Sequence, residues 1–233
     1  MTRFESELLY IIPRTHDVSS FRFGNPLNIP FKAGQYLTLT INAKGEELIH
    51  AFSISNSPTE KGYFEVTTKL RDSKFKKALR NLKVGDRMSL QAPFGHFTLN
   101  GSEKKVGMLA GGVGISPLRS MIKYCTDKKL DVNITLLYGN HSEGDIIFKE
   151  DLEKIRGKNR NLKVVYTLNT ARDNWRGHYG FIDANLIKEE IPDFKERYFF
   201  SCGPPMMVKT MVTILHQLDV KKDKIKIEHF AGY

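Results

Sequence analysis

A glycine-rich turn in the middle of the chain has the composition of a phosphate-binding loop. Residues 106–110 are apolar and suit a buried strand, and Gly111, Gly112 and Gly114 then leave the backbone without side chains. Apolar residues at helical spacing over 118–125 predict a helix directly afterwards. The free N–H groups and the dipole at a helix start favour an anion. The spacing is not G-x-G-x-x-G, so the turn alone is equally compatible with a ligand-free strand-to-helix connection.

Cysteine usage and hydropathy exclude several kinds of site. The two cysteines, Cys125 and Cys202, lie far apart and neither belongs to a C-x-x-C pair, which argues against an iron–sulfur cluster or a metal site. Redox chemistry would therefore need a bound organic cofactor or another protein. No apolar run approaches the length of a membrane span, and the N-terminus does not resemble a signal peptide, so we expect a cytoplasmic protein.

The net charge of +10 is concentrated in one stretch of the 233-residue chain. Between residues 69 and 87, eight basic residues face two acidic ones: Lys69, Arg71, Lys74, Lys76, Lys77, Arg80, Lys83 and Arg87 against Asp72 and Asp86. Such a stretch is either a solvated helix face or a docking surface for an acidic partner or a phosphate. Nucleic-acid binders interleave aromatic and Arg-Gly residues, and this stretch does not, so no nucleic-acid partner is expected.

The rhythm of apolar residues predicts two domains of different class. Strands are predicted over 3–12, 18–23, 37–41, 48–55, 62–70 and 87–92 with one helix over 74–82, which favours an antiparallel β-barrel. Strands over 106–110, 132–138, 162–168, 197–201 and 225–229 then alternate with helices over 118–125, 147–156, 184–190 and 205–218, which indicates an α/β parallel sheet. Turn residues at 100–103 place the boundary between domains 1–101 and 102–233.

Three segments of the first half, residues 31–36, 50–56 and 85–97, resemble the flavin domain of the ferredoxin–NADP reductase family. That family binds FAD, or sometimes FMN, on a six-stranded Greek-key barrel. Its flavin signature is Arg-x-Tyr-Ser followed by two residues and Ser, Thr or Asn; here Ser53 and Asn56 match and Phe52 takes the Tyr position. The resemblance implies that Phe52 lies against the flavin ring and that the Ser53 hydroxyl bonds its N5 edge.

His50 departs from the family pattern, where an arginine holds the flavin pyrophosphate. Histidine is charged only when protonated. Pyrophosphate binding is therefore weaker, or moved onto Lys69, Arg71 and the helix start at Ser73, or dispensed with in favour of FMN. The departure leaves open whether the flavin is FAD or FMN, but it does not argue against flavin binding.

Three motifs of the second half resemble the same family's nicotinamide domain. Gly111 to Pro117, including Ser116, matches its Gly-[Gly/Thr]-x-Gly-[Ile/Leu]-[Ala/Ser]-Pro turn, and 136–141 is similar to its next strand end, with Asn140 retained and His141 in place of an arginine. Residues 201–207 match Cys-Gly-Pro-x-x-Met and supply the candidates Cys202, Gly203, Pro204 and Met206. The resemblance places Cys202 near the hydride-carrying carbon, shaping the site without acting as a nucleophile, whereas Cys125 is interpreted as a core residue.

The C-terminus and residues 169–172 complete the resemblance. In the family, a terminal Glu and a nearby aromatic reach the flavin; Glu228 matches the former, and Phe230, or alternatively Tyr233, the latter. Thr170 and Arg172 lie where NADP-dependent members carry a Ser-Arg pair for the 2′-phosphate. No Lys or Arg occurs between residues 166 and 171, which favours NADH over NADPH.

Together the motifs predict a flavin-dependent NAD(P)H oxidoreductase. The resemblance implies hydride transfer between nicotinamide and flavin N5 beside Ser53, Cys202 and Glu228. Single electrons would then pass to a redox protein such as ferredoxin or flavodoxin, docked on residues 69–87. Two alternatives remain at this stage: an electron-transfer subunit of a larger dehydrogenase complex, and a non-enzymatic module on the same scaffold.

Overall fold

The computed structural model describes residues 1–43, 45–170 and 174–229. Its first half is a six-stranded antiparallel sheet in the order β4-β3-β6-β1-β2-β5. The strands are β1 (Thr2–Pro13), β2 (Val18–Gly24), β3 (Tyr36–Ala43), β4 (Glu46–Ser53), β5 (Tyr63–Lys69) and β6 (Arg87–Phe94). Just beyond β4, Ile54 forms an antiparallel bridge with Val66 of β5, so the two edges of the sheet meet and curl it into a barrel.

Burial of apolar side chains drives this closure. Phe21, Leu37, Phe64 and Leu90 lie in one core inside the curled sheet, each essentially inaccessible to water. Helix α1 (Lys74–Arg80) joins the same core through Phe75 and Leu79. The Ser73 side chain accepts a 3.2 Å hydrogen bond from the Lys76 backbone N–H and begins the helix, as the sequence predicts.

The second half is a six-stranded parallel sheet in the order β10-β9-β8-β7-β11-β12. Its strands are β7 (Lys105–Gly111), β8 (Asn133–Asn140), β9 (Leu162–Leu168), β10 (His178–Tyr179), β11 (Tyr198–Gly203) and β12 (Ile225–His229). The helices are α2 (Ile115–Asp127), α3 (Lys149–Arg156), α4 (Ala184–Glu190) and α5 (Pro205–Gln217). The strand order reverses between β7 and β11, so a ligand-binding crevice is expected at their carboxyl ends.

The predicted two-domain architecture is confirmed, with two local differences. The two-residue strand β10 was not predicted, because it is too short to produce an alternating pattern. Helix α2 begins at Ile115 and not at residue 118, because a 3₁₀ turn over Gly112–Gly114 leads into it and Pro117 is tolerated in a first turn. No described helix is long and apolar enough to cross a membrane.

Arg119 of α2 joins the two domains. Its guanidinium is buried, bonds the Glu60 carboxylate, donates to the Ser55 carbonyl at 3.2 Å, and lies 2.5 Å from an oxygen of Asp151. Ser55 and Glu60 belong to the loop between β4 and β5, whereas Asp151 belongs to α3. This shared arginine fixes the start of α2 against the end of β4.

Candidate active site

A groove of about 690 Å³ runs along β4, β5 and α1 and is closed on one side by the start of α2. His50, Phe52 and Ser53 line it from β4, and Val113 and Ser116 line it from the glycine-rich turn of the other domain. Lys69, Arg71 and Ser73 line it from the segment between β5 and α1. One cavity, whose volume suits an organic cofactor, is therefore lined by six of the predicted flavin-binding residues: His50, Phe52, Ser53, Lys69, Arg71 and Ser73.

Strand β4 presents an aromatic wall to this groove. The ring of His50 lies 4.8 Å from that of Phe52 and 5.2 Å from that of Phe75 in α1. Alternation along the strand puts residues 50 and 52 on one face, and burial of Phe75 brings the helix against them. Such a wall offers a flat apolar surface to an aromatic ring.

The electrostatics of His50 differ from those of an arginine. Burial, and after it the nearby Lys76 ammonium, lower the pKa of His50 to about 4. The imidazole is therefore neutral at physiological pH and supplies no permanent positive charge to the groove. Lys69 lies 2.5 Å from Asp17 in an ion pair, which partly offsets its charge.

Ser53, Cys202 and Glu228 meet where the groove reaches the parallel sheet. The Ser53 hydroxyl donates a 2.9 Å hydrogen bond to Glu228 Oε2. Cys202 of β11 lies directly beside Glu228 of β12 in the parallel pairing. The three candidates for the reacting site, separated by up to 175 positions in sequence, are therefore adjacent in space.

Burial governs the ionisation of this cluster. It raises the pKa of Glu228 to about 7, although the Ser53 hydrogen bond acts in the opposite direction. The Cys202 thiol is fully buried, and burial together with the neighbouring Glu228 raises its pKa well above the usual value. The thiol therefore stays protonated, which is unsuited to nucleophilic attack.

The glycine-rich turn and the Cys-Gly-Pro turn fit closely against each other. A Cβ added to Gly114 would lie 2.2 Å from the Cys202 carbonyl oxygen, and one added to Gly111 would lie 2.3 Å from Met207 Sδ. Gly112 adopts a positive φ of 52°, and a Cβ there would meet no atom within 4 Å. Close backbone approach thus requires a glycine at position 114, and the Met207 side chain packs against Gly111, while Gly112 borders open space that a ligand could enter.

On the nicotinamide side, Asn140 ends β8 at the same edge of the sheet. Both polar atoms of its side-chain amide are buried without a hydrogen-bond partner among the described residues. A buried amide without a hydrogen-bond partner is rare in folded proteins and indicates a bound ligand or water. Thr170 lies near this edge, where its N–H donates to the His141 carbonyl at 2.8 Å.

Several predicted residues lie elsewhere or outside the described chain. The buried Asn56 side chain donates to the Glu60 and Tyr63 carbonyls and accepts from the Glu65 N–H, so it organises the loop after β4. Met206 is largely exposed at the start of α5. Arg172, Phe230 and Tyr233 lie outside the described residues.

The positions of two residues were not predicted from the sequence. Lys76 was placed only within the basic stretch 69–87, interpreted as a solvated helix face or a docking surface, yet its side chain lines the groove. Arg119 has no motif of its own, and only the neighbouring acidic residues of two domains reveal its role. Neither signal is visible without the tertiary structure.

Family models match both halves of the chain. Residues 8–99 match the model of the oxidoreductase FAD-binding domain, and residues 108–213 match that of the oxidoreductase NAD-binding domain. An NADH-cytochrome b5 reductase 1 from Dictyostelium discoideum is 30% identical over 232 residues, covering 96% of this chain and 80% of that protein.

Solved structures agree with the match to FAD-binding and NAD-binding oxidoreductase domains. The cytochrome b5 reductase domain of Ulva prolifera nitrate reductase superposes with a TM-score of 0.86 at 25% identity, covering 98% of this chain and 97% of that one. A ferredoxin NADP⁺ reductase from Neisseria gonorrhoeae shares the fold, with a TM-score of 0.84 at 21% identity and coverage of 98% and 99%. Fold and site define a two-domain flavoprotein oxidoreductase. The chain belongs to the ferredoxin–NADP reductase family, with FAD as its cofactor and NAD(P)H as its substrate.

Proposed function

We propose that this enzyme takes hydride from NADH and passes single electrons to a small carrier protein of the cytochrome b5 kind. The observation that carries the proposal is the 2.9 Å hydrogen bond from Ser53 to Glu228, with Cys202 beside it. It brings a residue of the flavin-binding barrel and two residues of the nicotinamide-binding sheet to one point. Hydride transfer requires the two ring systems to meet at such a junction.

The barrel residues bind and orient the flavin. FAD, when bound, supplies the two-electron to one-electron conversion, and the protein contributes position and electrostatics. When FAD is bound, Phe52 would pack against its ring and Ser53 would face the reactive edge of that ring, while Lys69, Arg71 and Ser73 line the same groove. The neutral His50 contributes ring packing in place of charge.

The residues of the parallel sheet orient the nicotinamide nucleotide. The turn of Gly111, Gly112 and Gly114 supplies free backbone N–H groups at the start of α2, and Cys202, Gly203 and Pro204 form the adjoining wall. The buried amide of Asn140 is available to a ligand at the same edge. NADH is favoured over NADPH because residues 166–171 contain no Lys or Arg and because the relatives are named NADH-dependent.

Glu228 is suited to holding a proton at the junction. Its pKa of about 7 allows Oε2 to exist in either protonation state near neutral pH. Ser53 orients this carboxyl group through its hydroxyl. Cys202, fully buried, excludes water from the same point.

The acceptor is the least constrained part of this function. Relatives named NADH-cytochrome b5 reductase favour a haem carrier, whereas an exposed basic surface suits any acidic carrier, including ferredoxin or flavodoxin. The test is to supply NADH and the FAD-loaded enzyme to cytochrome b5, a ferredoxin and a flavodoxin in parallel, and to record each reduction rate against salt. Fastest reduction of cytochrome b5 supports the proposal. Fastest reduction of ferredoxin or flavodoxin contradicts the haem acceptor, and no reduction of any carrier contradicts a small protein acceptor.

A further inference from the structure

Lys76 is the basic residue of α1 that turns inward. Its ammonium lies 4.4 Å from the centroid of the Phe52 ring and 5.9 Å from that of Phe75, and it bonds the Thr68 hydroxyl of β5. It lines the same groove as His50 and Phe52, whereas Lys77 on the same helix is exposed and lies outside the groove. The side chain therefore places a positive charge beside the predicted flavin-binding wall.

This charge has no carboxylate partner within residues 1–43, 45–170 and 174–229. Two other lysines that line the groove are paired: Lys69 with Asp17 at 2.5 Å, and Lys74 with Glu46 at 3.2 Å. Burying an ammonium without a counterion is costly, and burial lowers the pKa of Lys76 to about 8. A bound anion would offset this cost.

The position of Lys76 also selects the part of the cofactor it would meet. It lies against Phe52, the neighbour of Ser53, and hence towards the end of the groove where the reacting residues meet. FAD carries its phosphates on the chain attached to the flavin ring, and the first of them is shared with FMN. His50 beside it is neutral and leaves the need for a cation unmet.

We propose that Lys76 is the cation that binds the ring-proximal phosphate of the flavin nucleotide. This assignment rests on the proposed flavin-binding groove and extends it by a residue outside the flavin signature. The ammonium approaches the phosphate as a point charge from α1, while Thr68 holds it in place. On this proposal the positive charge of Lys76 governs phosphate binding, and any hydrogen bond from the neutral His50 does not.

The test measures flavin binding to the apoprotein by quenching of flavin fluorescence, with FAD, FMN and riboflavin as three ligands. Lys76→Met keeps the length of the side chain and removes the charge, Lys76→Arg keeps the charge, and Lys77→Met is the matched control on the exposed face of the same helix, outside the groove. We expect Lys76→Met to weaken FAD and FMN roughly 10- to 100-fold, as for one lost charge-assisted hydrogen bond. Riboflavin affinity should be unchanged, and Lys76→Arg and Lys77→Met should bind all three ligands within about threefold of wild type, less than a single neutral hydrogen bond provides.

Unchanged riboflavin binding also shows that the Lys76→Met protein is folded. If Lys76→Met lost affinity equally for all three ligands, Lys76 would lie against the ring and the phosphate assignment would be wrong. A loss of affinity for FAD alone, or for none of the ligands, would also overturn the assignment. If the wild-type protein bound no flavin, the proposed function itself would fail. The two failures are therefore distinguishable.

Discussion

The Ser53 hydroxyl lies 2.9 Å from Glu228 Oε2, and this hydrogen bond joins the last residue of β4 to the C-terminal strand β12. The bond spans the boundary between the two domains at the point where β12 pairs with Cys202. Because Ser53 also lines the proposed flavin groove, we expect the protonation state of the Glu228 carboxyl group to affect the geometry of that groove.

Replacing Glu228 with Gln should alter how stability depends on pH. The folded-state pKa of about 7 lies above the ordinary glutamate value of 4.5, so the protonated form stabilises the fold. The stabilisation by the protonated Glu228 carboxyl group is complete below about pH 4.5. It is lost as the pH rises towards 7, and stability does not change further above that pH. Its neighbours Ser53 and Cys202 do not ionise in this range.

The measurement is urea unfolding of the unliganded wild type and Glu228→Gln at pH 5 and pH 8. Relative to the variant, the wild type should lose about 2 kcal/mol between the two pH values. An exposed control, Glu5→Gln, should differ from wild type by the same amount at both. A Glu228→Gln difference that does not change with pH would show that this carboxyl group is not held protonated by burial.

Replacing Gly114 with Ala should disturb the meeting point of the two turns. The added Cβ would lie 2.2 Å from the Cys202 carbonyl oxygen, so backbone must move, at a cost of roughly 1–3 kcal/mol. Gly139→Ala is the control at the same sheet edge, since its Cβ would find no atom closer than 3.7 Å. Thermal unfolding of the two variants tests this, and equal melting temperatures would contradict the close approach.

Replacing Arg119 with Met should loosen the two domains. The change leaves Glu60 and Asp151 without their shared partner and frees the Ser55 carbonyl, which should cost about 2–4 kcal/mol. Arg156→Met is the control, because that arginine forms a half-exposed pair with Glu153 and should cost at most about 1 kcal/mol. Unfolding in urea measures the free energy of unfolding of both variants. Similar losses of stability would mean that Arg119 does not join the domains.

Reversing charge on the exposed basic surface should slow electron delivery to an acidic carrier. This surface consists of Lys74, Lys77, Arg80, Lys83 and Arg87. The double variant Lys77→Glu, Lys83→Glu should lower the rate of carrier reduction about tenfold at low salt, with a smaller effect at high salt. Flavin reduction by NADH should be unchanged.

The matched control for that surface is the double variant Lys128→Glu, Lys158→Glu, which makes the same charge change at exposed sites of the other domain. It should reduce the carrier at close to the wild-type rate. Equal slowing by both pairs would indicate a net-charge effect in place of docking. Lys76 is excluded from this test because it lies in the groove.

Sequence reasoning predicted most of the fold, because the strands and helices follow from apolar periodicity. The resemblance named Ser53, Cys202 and Glu228, which the structure brings together, while their part in the reaction stays a prediction. Sequence reasoning placed Lys76 only within the basic stretch 69–87, because a lysine beside two other charged helix residues has no sequence feature that distinguishes an inward side chain from a solvated one. Its direction depends on how closely α1 approaches β4 and β5, a tertiary property. The pairing of Lys69 with Asp17 was missed for the same reason.

Hydride transfer is tested most directly by the visible spectrum of the FAD-loaded protein under anaerobic conditions during addition of NADH, with NADPH added to a parallel sample. We expect rapid loss of the oxidised flavin band with NADH and slower loss with NADPH. Faster bleaching by NADPH would contradict the proposed nucleotide preference. A bound flavin that neither nucleotide bleaches would contradict hydride transfer at the junction of Ser53, Cys202 and Glu228.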